Sequence, residues 1–129
     1  KDAKAEDVYI RNRAAAMLRL LEAGKPLPSA VQLPVAAVRI GTDLTFVAMG
    51  GEVVVDYALR LKRLHATDHP WLIGYAYEVP CYIPSVRILK DGGYEAQSSL
   101  IYYGFYGPFH TRIEDLLTKK LTELVSRVR

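Results

Sequence analysis

The stretch Met49-Gly50-Gly51-Glu52-Val53-Val54-Val55-Asp56-Tyr57 marks the place where a buried strand gives way to a helix. The run before it, residues 44–49, is short and rich in β-branched and aromatic residues, and turn-forming residues precede it at 41–43, which predicts a strand. The apolar residues that follow recur at the i, i+3, i+4 and i+7 spacing of a helix with one buried face: Val54, Tyr57, Ala58, Leu61 and Leu64. Glu52 therefore lies at a strand-to-helix junction, the kind of position where open α/β sheets bind ligands.

The same position is compatible with a purely structural role for Glu52. A helix amino terminus favours a negatively charged side chain, so a glutamate in the first turn needs no ligand to explain it. The residues of this stretch leave both interpretations open.

Composition limits the possible classes of protein. The chain has 129 residues, half of them hydrophobic, which is enough for one ordinary core and predicts a single compact unit. Its net charge of +3 is small and its Lys and Arg residues alternate with acidic ones, so we expect no nucleic-acid partner. No apolar run of about 18 residues is present, and we therefore expect no transmembrane segment.

Periodicity predicts a mixed α/β (α+β) fold, a small β-sheet flanked by amphipathic helices. Residues 1–24 are predicted to form an amphipathic helix that ends at Gly24 and has Val8, Ala15, Leu18 and Leu21 as its apolar residues, and residues 25–32 a proline-containing linker. Residues 33–129 form the αβ core, with a hairpin over 33–49, a strand over 71–76 and a last helix over about 111–128. The charged start without an initiator Met leads us to expect a piece of a larger domain.

Metal and nucleophile candidates are few. His65 and His69 have i, i+4 spacing, but Pro70 disfavours helix at His69, so we do not expect this pair to bind zinc. His110 precedes the last helix, where capping or surface exposure is the ordinary role and a role beside a pocket is the alternative. Cys81 is the only cysteine, which excludes an internal disulfide and a cysteine-based zinc site.

Four short motifs in the same order resemble the neutral (non-lysosomal) ceramidase family, especially its bacterial ceramidase-like members. They are a Gly-Glu after a strand at 51–52, a Gly-Tyr-Ala followed after five residues by Tyr-Ile-Pro at 74–84, a Gly-Gly-Tyr-Glu-Ala at 92–96 and a Tyr-Gly-Pro at 106–108. The resemblance extends from about residue 33 to residue 129 and points to the carboxyl-terminal part of the catalytic domain.

The resemblance implies a zinc-dependent amidase that hydrolyses the N-acyl amide of ceramide to a sphingoid base and a fatty acid. By this likeness Glu52 and Tyr82 are zinc ligands and Tyr94 is a catalytic residue that contacts the oxyanion. Zinc with an open coordination position lowers the pKa of bound water to about 7, and a phenol can stabilise a developing oxyanion, so these residue types suit the reaction. The resemblance also implies a secreted, periplasmic or membrane-facing location.

The two histidine ligands that the family requires have no counterpart motif in this chain, and we expect them upstream of it. Gly50 stands where the family has proline, and Tyr77 stands where it has asparagine. With two of four ligands, we expect the chain alone to retain no zinc and to be inactive. Two alternatives stay open: a non-catalytic binding or scaffold relative of the ceramidase fold, and a zinc hydrolase of a different amide.

Overall fold

The computed structural model describes residues 3–129, with side chains from Val8 onward. The chain is a mixed α/β protein, as predicted. Its helices are α1 (Ala3–Glu22), α2 (Val55–Leu64), α3 (Val86–Asp91), α4 (Leu100–Tyr103) and α5 (Ile113–Arg127). Its strands are β1 (Val35–Ile40), β2 (Leu44–Met49), β3 (Glu52–Val53), β4 (Pro70–Ile73) and β5 (Tyr82–Ile83).

The strands form a three-stranded sheet in the order β1-β2-β4 and a separate two-stranded sheet of β3 and β5. The predicted hairpin is confirmed: β1 and β2 are antiparallel, and Gly41 takes the left-handed conformation (φ 61°) that the turn between them requires. Strand β4 pairs in parallel with β2 and ends at Ile73, earlier than predicted. It ends there because Tyr75, two residues later, has φ 57°, which no strand can accommodate.

The core lies on one face of the larger sheet. Val47 and Met49 of β2 pack against Leu61 of α2 and against Leu121 and Val125 of α5, all with at most 2% of their surface exposed. A fully buried side chain of this size contributes about 1.5–3 kcal/mol of transfer free energy, so this contact fixes α2 and α5 against the sheet.

A second buried cluster joins α2 to the smaller sheet. Tyr57, Cys81, Ile83 and Leu100 pack together, and the Tyr57 hydroxyl donates a hydrogen bond to the carbonyl of Pro84 (3.0 Å). Burial raises the pKa of the Cys81 thiol to about 11. This cluster anchors β5 beside β3.

The end of the first helix is as predicted. Gly24 is left-handed (φ 65°), its N–H bonds to Leu21 O, and the N–H of Lys25 bonds to Leu20 O, which is a Schellman cap.

The predicted buried face of this helix is wrong. The apolar residues expected to pack, Val8, Ala15, Leu18 and Leu21, are exposed. The helix instead turns Arg13, Met17 and Leu20 inward, and Arg13 donates a hydrogen bond to Phe105 O (3.0 Å). A long side chain such as Arg can bury its stem while its guanidinium caps a carbonyl, so a polar residue lies on the packed face.

The other face of the larger sheet is apolar and open. Val38, Ile40, Trp71 and Ile73 project from it and remain exposed, and Trp71 makes an edge-to-face contact with Phe46 (ring centroids 5.9 Å apart). None of the helices formed within residues 3–129 combines the length and apolar character needed to cross a bilayer.

Candidate functional site

Two glycines bring the backbone of residues 50–52 into close contact with the segment before β1 and with the loop before β5. Gly50 N–H bonds to Pro34 O (2.9 Å) and Gly51 N–H bonds to Glu78 O (2.7 Å). Gly51 has φ 80°, and a Cβ there would lie 2.6 Å from Cγ1 of Ile83, inside van der Waals contact. Only glycine fits this position, and its close packing against Ile83 places the next residue, Glu52, beside β5.

Glu52 lies in β3, three residues before α2 begins at Val55, and pairs in parallel register with Tyr82 of β5. The Glu52 N–H bonds to Cys81 O (2.9 Å). Residues opposite each other in a ladder have side chains on the same face about 4.8 Å apart, so the Glu52 carboxylate and the Tyr82 phenol are neighbours.

The alternative interpretation, in which Glu52 is a first-turn helix carboxylate, is therefore wrong. Asp56 occupies the first turn of α2, and its carboxylate accepts hydrogen bonds from Ser85 Oγ and from Arg87. These hydrogen bonds, that of Arg87 first, hold the pKa of Asp56 below its usual value. Asp56, and not Glu52, therefore supplies the negative charge at the amino terminus of α2.

Tyrosines surround the Glu52 carboxylate. The phenols of Tyr75, Tyr82 and Tyr103 lie close enough to the Glu52 carboxylate to interact with it. The interaction with Glu52, together with desolvation, raises the pKa of Tyr75 to about 12 and also raises the pKa of Tyr82. Desolvation, followed by the Glu52 charge, raises the pKa of Tyr103. All three phenols are therefore protonated at neutral pH.

Tyr94 completes this tyrosine cluster, which we define as Tyr75, Tyr82, Tyr94 and Tyr103 around Glu52. The Tyr94 ring contacts the Tyr82 ring edge-to-face with centroids 5.5 Å apart, and it lies at the start of a π-helical turn over Tyr94–Ser98. π-helical turns occur often at functional sites. The structure thus brings together Glu52, Tyr82 and Tyr94, the three residues that the sequence analysis selected.

Sequence reasoning missed Tyr75 and Tyr103. Tyr75 is held in the left-handed region, with its N–H bonded to Gly51 O (2.9 Å), and Tyr77 two residues later is also left-handed (φ 66°). Such a conformation costs an aromatic residue on the order of 1–3 kcal/mol and is concentrated at functional sites. The Gly-Tyr-Ala motif at 74–76 marked the position, but nothing local in the sequence indicates that Tyr75 points toward Glu52.

The three histidines lie away from this cluster. His65 is buried at the end of α2, with Nε2 3.2 Å from Thr122 Oγ1 and Nδ1 3.4 Å from an Asp68 oxygen. His69 is left-handed (φ 44°) and exposed, so the two do not share a helical face. His110 is exposed, and its Nδ1 accepts a hydrogen bond from the Arg112 N–H (3.1 Å), while the N-cap of α5 has no side-chain cap.

The cluster fits part of a zinc site. Glu52 and Tyr82 offer two adjacent oxygen donors, which zinc accepts, but a structural or catalytic zinc needs three or four protein ligands. Within residues 8–129 no three His, Cys, Asp or Glu side chains converge in a way that could hold a metal ion. A zinc site here therefore needs ligands in addition to these two.

An apolar cavity of about 420 Å³ opens between residues 28–33 and the segment from Phe105 to Leu117. Ile83 and Leu100 form part of its wall, and His110 and Arg112 lie at its rim. Ile83 follows Tyr82 in β5, so the same strand contributes to the cavity and to the tyrosine cluster.

Comparisons of the chain with protein-family models, with curated proteins and with solved structures found no significant match. The class that the structure itself defines is a small α/β unit carrying a carboxylate–tyrosine site at a two-stranded sheet.

Proposed function

We propose that this chain is the carboxyl-terminal part of a ceramidase-like, zinc-dependent amidohydrolase. The observation that supports this most is the register of β3 against β5, which sets Glu52 directly beside Tyr82, with the Tyr94 ring against Tyr82. The motif resemblance assigns roles to these same three residues, and Glu52 and Tyr94 are 42 positions apart in the sequence (94 − 52).

In this proposal Glu52 and Tyr82 hold the zinc ion, together with two histidines from an upstream segment. When bound, zinc polarises the amide carbonyl and activates a water molecule. Glu52 supplies the negative charge, and the Tyr82 phenol supplies the second oxygen. The interaction with Glu52, followed by desolvation, raises the pKa of Tyr82, so Tyr82 holds its proton in the metal-free chain and would have to release it to bind a metal as a phenolate.

Tyr94 is the oxyanion donor in this proposal. Its side chain is half exposed and therefore open to a substrate, while its ring is fixed against Tyr82. A phenol held in this way can donate a hydrogen bond where negative charge develops, and removing one such donor costs about 10²–10³ in kcat.

The substrate class is a lipid amide, ceramide or a related N-acyl compound. The motif resemblance carries this choice of substrate class, because none of the residues that line the apolar cavity belongs to the tyrosine cluster. The assay determines the acyl-chain length and the identity of the amine.

The test compares the longer protein that the proposal implies, carrying the upstream histidines, with single variants. We expect it to release fatty acid from N-acylsphingosine, with at least 10³-fold lower kcat/KM in Glu52→Gln and about 10²-fold lower kcat in Tyr94→Phe. Glu78→Gln is the matched control, because Glu78 is also exposed on the neighbouring loop and its carbonyl, not its carboxylate, contacts Gly51.

Full activity in Glu52→Gln would contradict the proposal. Hydrolysis of a simple N-acyl amide but not of N-acylsphingosine would support a zinc hydrolase and contradict the proposed ceramide-like substrate. We expect the chain by itself to show neither activity nor stoichiometric zinc, because two ligands do not retain the metal.

A further inference from the structure

The tyrosine cluster contains one negative charge that has no cationic partner among residues 8–129. Among residues 8–129, none of the salt bridges includes Glu52, whereas Asp56, Asp68 and Glu114 are each paired with arginine. Tyrosine phenols are neutral at physiological pH, so the cluster carries the single charge of its carboxylate.

The surroundings of this carboxylate are aromatic and accessible. Tyr75 and Tyr94 are 61% and 49% exposed, and Glu52 is only partly buried. Tyr82 and Tyr94 are nearly perpendicular (76°), and Tyr94 is followed by Tyr102 at 6.4 Å between centroids (47°). Rings set at such angles to one another present both faces and edges on this part of the surface.

We propose that the chain, without any metal, binds an organic ammonium cation at the tyrosine cluster. A cation over the face of a tyrosine is attracted by the ring quadrupole, and aromatic rings beside a carboxylate are the arrangement that recognises alkylated ammonium groups. An alkylated ammonium needs no inner-sphere ligands, so one carboxylate is sufficient for it. An anion is disfavoured by Glu52, and a neutral amide gains nothing from the charge.

Backbone hydrogen bonds hold the loop beside Glu52 in place. The Tyr75 N–H bonds to Gly51 O and the Ala76 N–H bonds to Met49 O (3.0 Å), so the strained loop is fixed to the backbone beside Glu52. Binding therefore has little ordering cost beyond that of the cation itself. The inference is independent of the proposed zinc chemistry, because it concerns the metal-free chain.

The test is an NMR titration of the chain, in the presence of EDTA, with tetramethylammonium and choline. The neutral probe 3,3-dimethyl-1-butanol has the shape of choline without its charge and is the ligand control. We expect saturable shifts of the tyrosine ring resonances with Kd of about 1–10 mM for the cations, and binding at least tenfold weaker for the alcohol.

Two variants locate the site. Glu52→Gln keeps the side-chain shape and removes the charge, and we expect at least tenfold weaker cation binding. Tyr75→Leu should weaken binding about 3- to 10-fold. Tyr77→Leu is its matched control, because Tyr77 is equally exposed, is left-handed like Tyr75 and belongs to the same loop, but does not contact Glu52; we expect it to leave the Kd unchanged.

Unchanged affinity in Glu52→Gln, with the fold verified by circular dichroism, would overturn the inference, as would equal binding of the neutral alcohol. Equal losses in the Tyr75 and Tyr77 variants would also overturn it. None of these results bears on whether a longer protein holding zinc hydrolyses amides, so this inference and the proposed function fail separately.

Discussion

At the scale of single residues, Gly51 determines where the candidate site lies. We expect Gly51→Ala to destabilise the chain by about 3 kcal/mol, because a methyl group there adds a clash with Ile83 to the cost of a left-handed alanine. Gly104→Ala is the control, since Gly104 is left-handed with a similar φ (79°) and has nothing within 4 Å of the added Cβ, and it should cost about 1–2 kcal/mol. Urea unfolding measures both, and equal losses would contradict the packing explanation.

The tyrosine phenols give a second prediction at this scale. The raised pKa of Tyr75, about 12, means that the folded chain keeps this proton longer than the unfolded chain, whose phenol ionises near 10. The protonated Tyr75 phenol therefore contributes fully to the free energy of unfolding below about pH 10, and this contribution is lost as the pH rises toward 12. Glu52→Gln should return the Tyr75 pKa toward 10, as followed by absorbance of the phenolate, whereas Glu78→Gln should not.

At the scale of elements, Asp68 connects three of them. Its buried carboxylate accepts from Arg39 of β1 (3.1 Å) and from Arg129, just after α5 (2.9 Å from Nε), and it lies beside His65 at the end of α2. The hydrogen bond from Arg129, ahead of that from Arg39, lowers the pKa of Asp68 to about 2. Its stabilising effect is present above about pH 4 and is lost as the pH falls toward 2.

We expect Asp68→Ala to destabilise the chain by about 2–4 kcal/mol, since it leaves the largely buried guanidinium of Arg39 without its carboxylate partner. Asp91→Ala, which removes an exposed i, i+4 pair with Arg87, should cost less than about 0.5 kcal/mol. Thermal unfolding at pH 7 separates the two, and the difference between wild type and Asp68→Ala should shrink at pH 2. A difference that persists unchanged at pH 2 would contradict the electrostatic explanation.

The elements that local sequence determines were predictable. The β1–β2 hairpin follows from alternating residues and from Gly41 in the turn, and the Schellman cap follows from Gly24. The pairing of β3 with β5 was not predictable, because two strands of two residues, 30 positions apart (82 − 52), have no periodicity to detect. The left-handed conformation of Tyr75 was not predictable either, because it is imposed by the hydrogen bond of its N–H to Gly51 O and not by the propensity of tyrosine.

At the scale of the whole molecule, the sheet has one covered face and one open apolar face. An exposed apolar patch on a soluble domain binds hydrophobic dyes and promotes association. We expect Trp71→Gln to reduce the fluorescence of bound ANS and to leave unfolding within about 1 kcal/mol of wild type, because Trp71 is already 59% exposed. Leu59→Gln, an exposed apolar residue on α2, is the control and should leave ANS binding unchanged.

The buried thiol of Cys81 offers a way to time the opening of the site. Its backbone carbonyl accepts the Glu52 N–H, its side chain is fully buried, and its pKa of about 11 leaves almost no thiolate at neutral pH while the chain is closed. Alkylation of this only cysteine can therefore proceed only from states in which β5 has separated from its neighbours. The rate of labelling therefore measures how often the structure opens locally at Glu52. A ligand that stabilises the closed tyrosine cluster would lower this labelling rate, and the measurement needs no reporter group or added mutation.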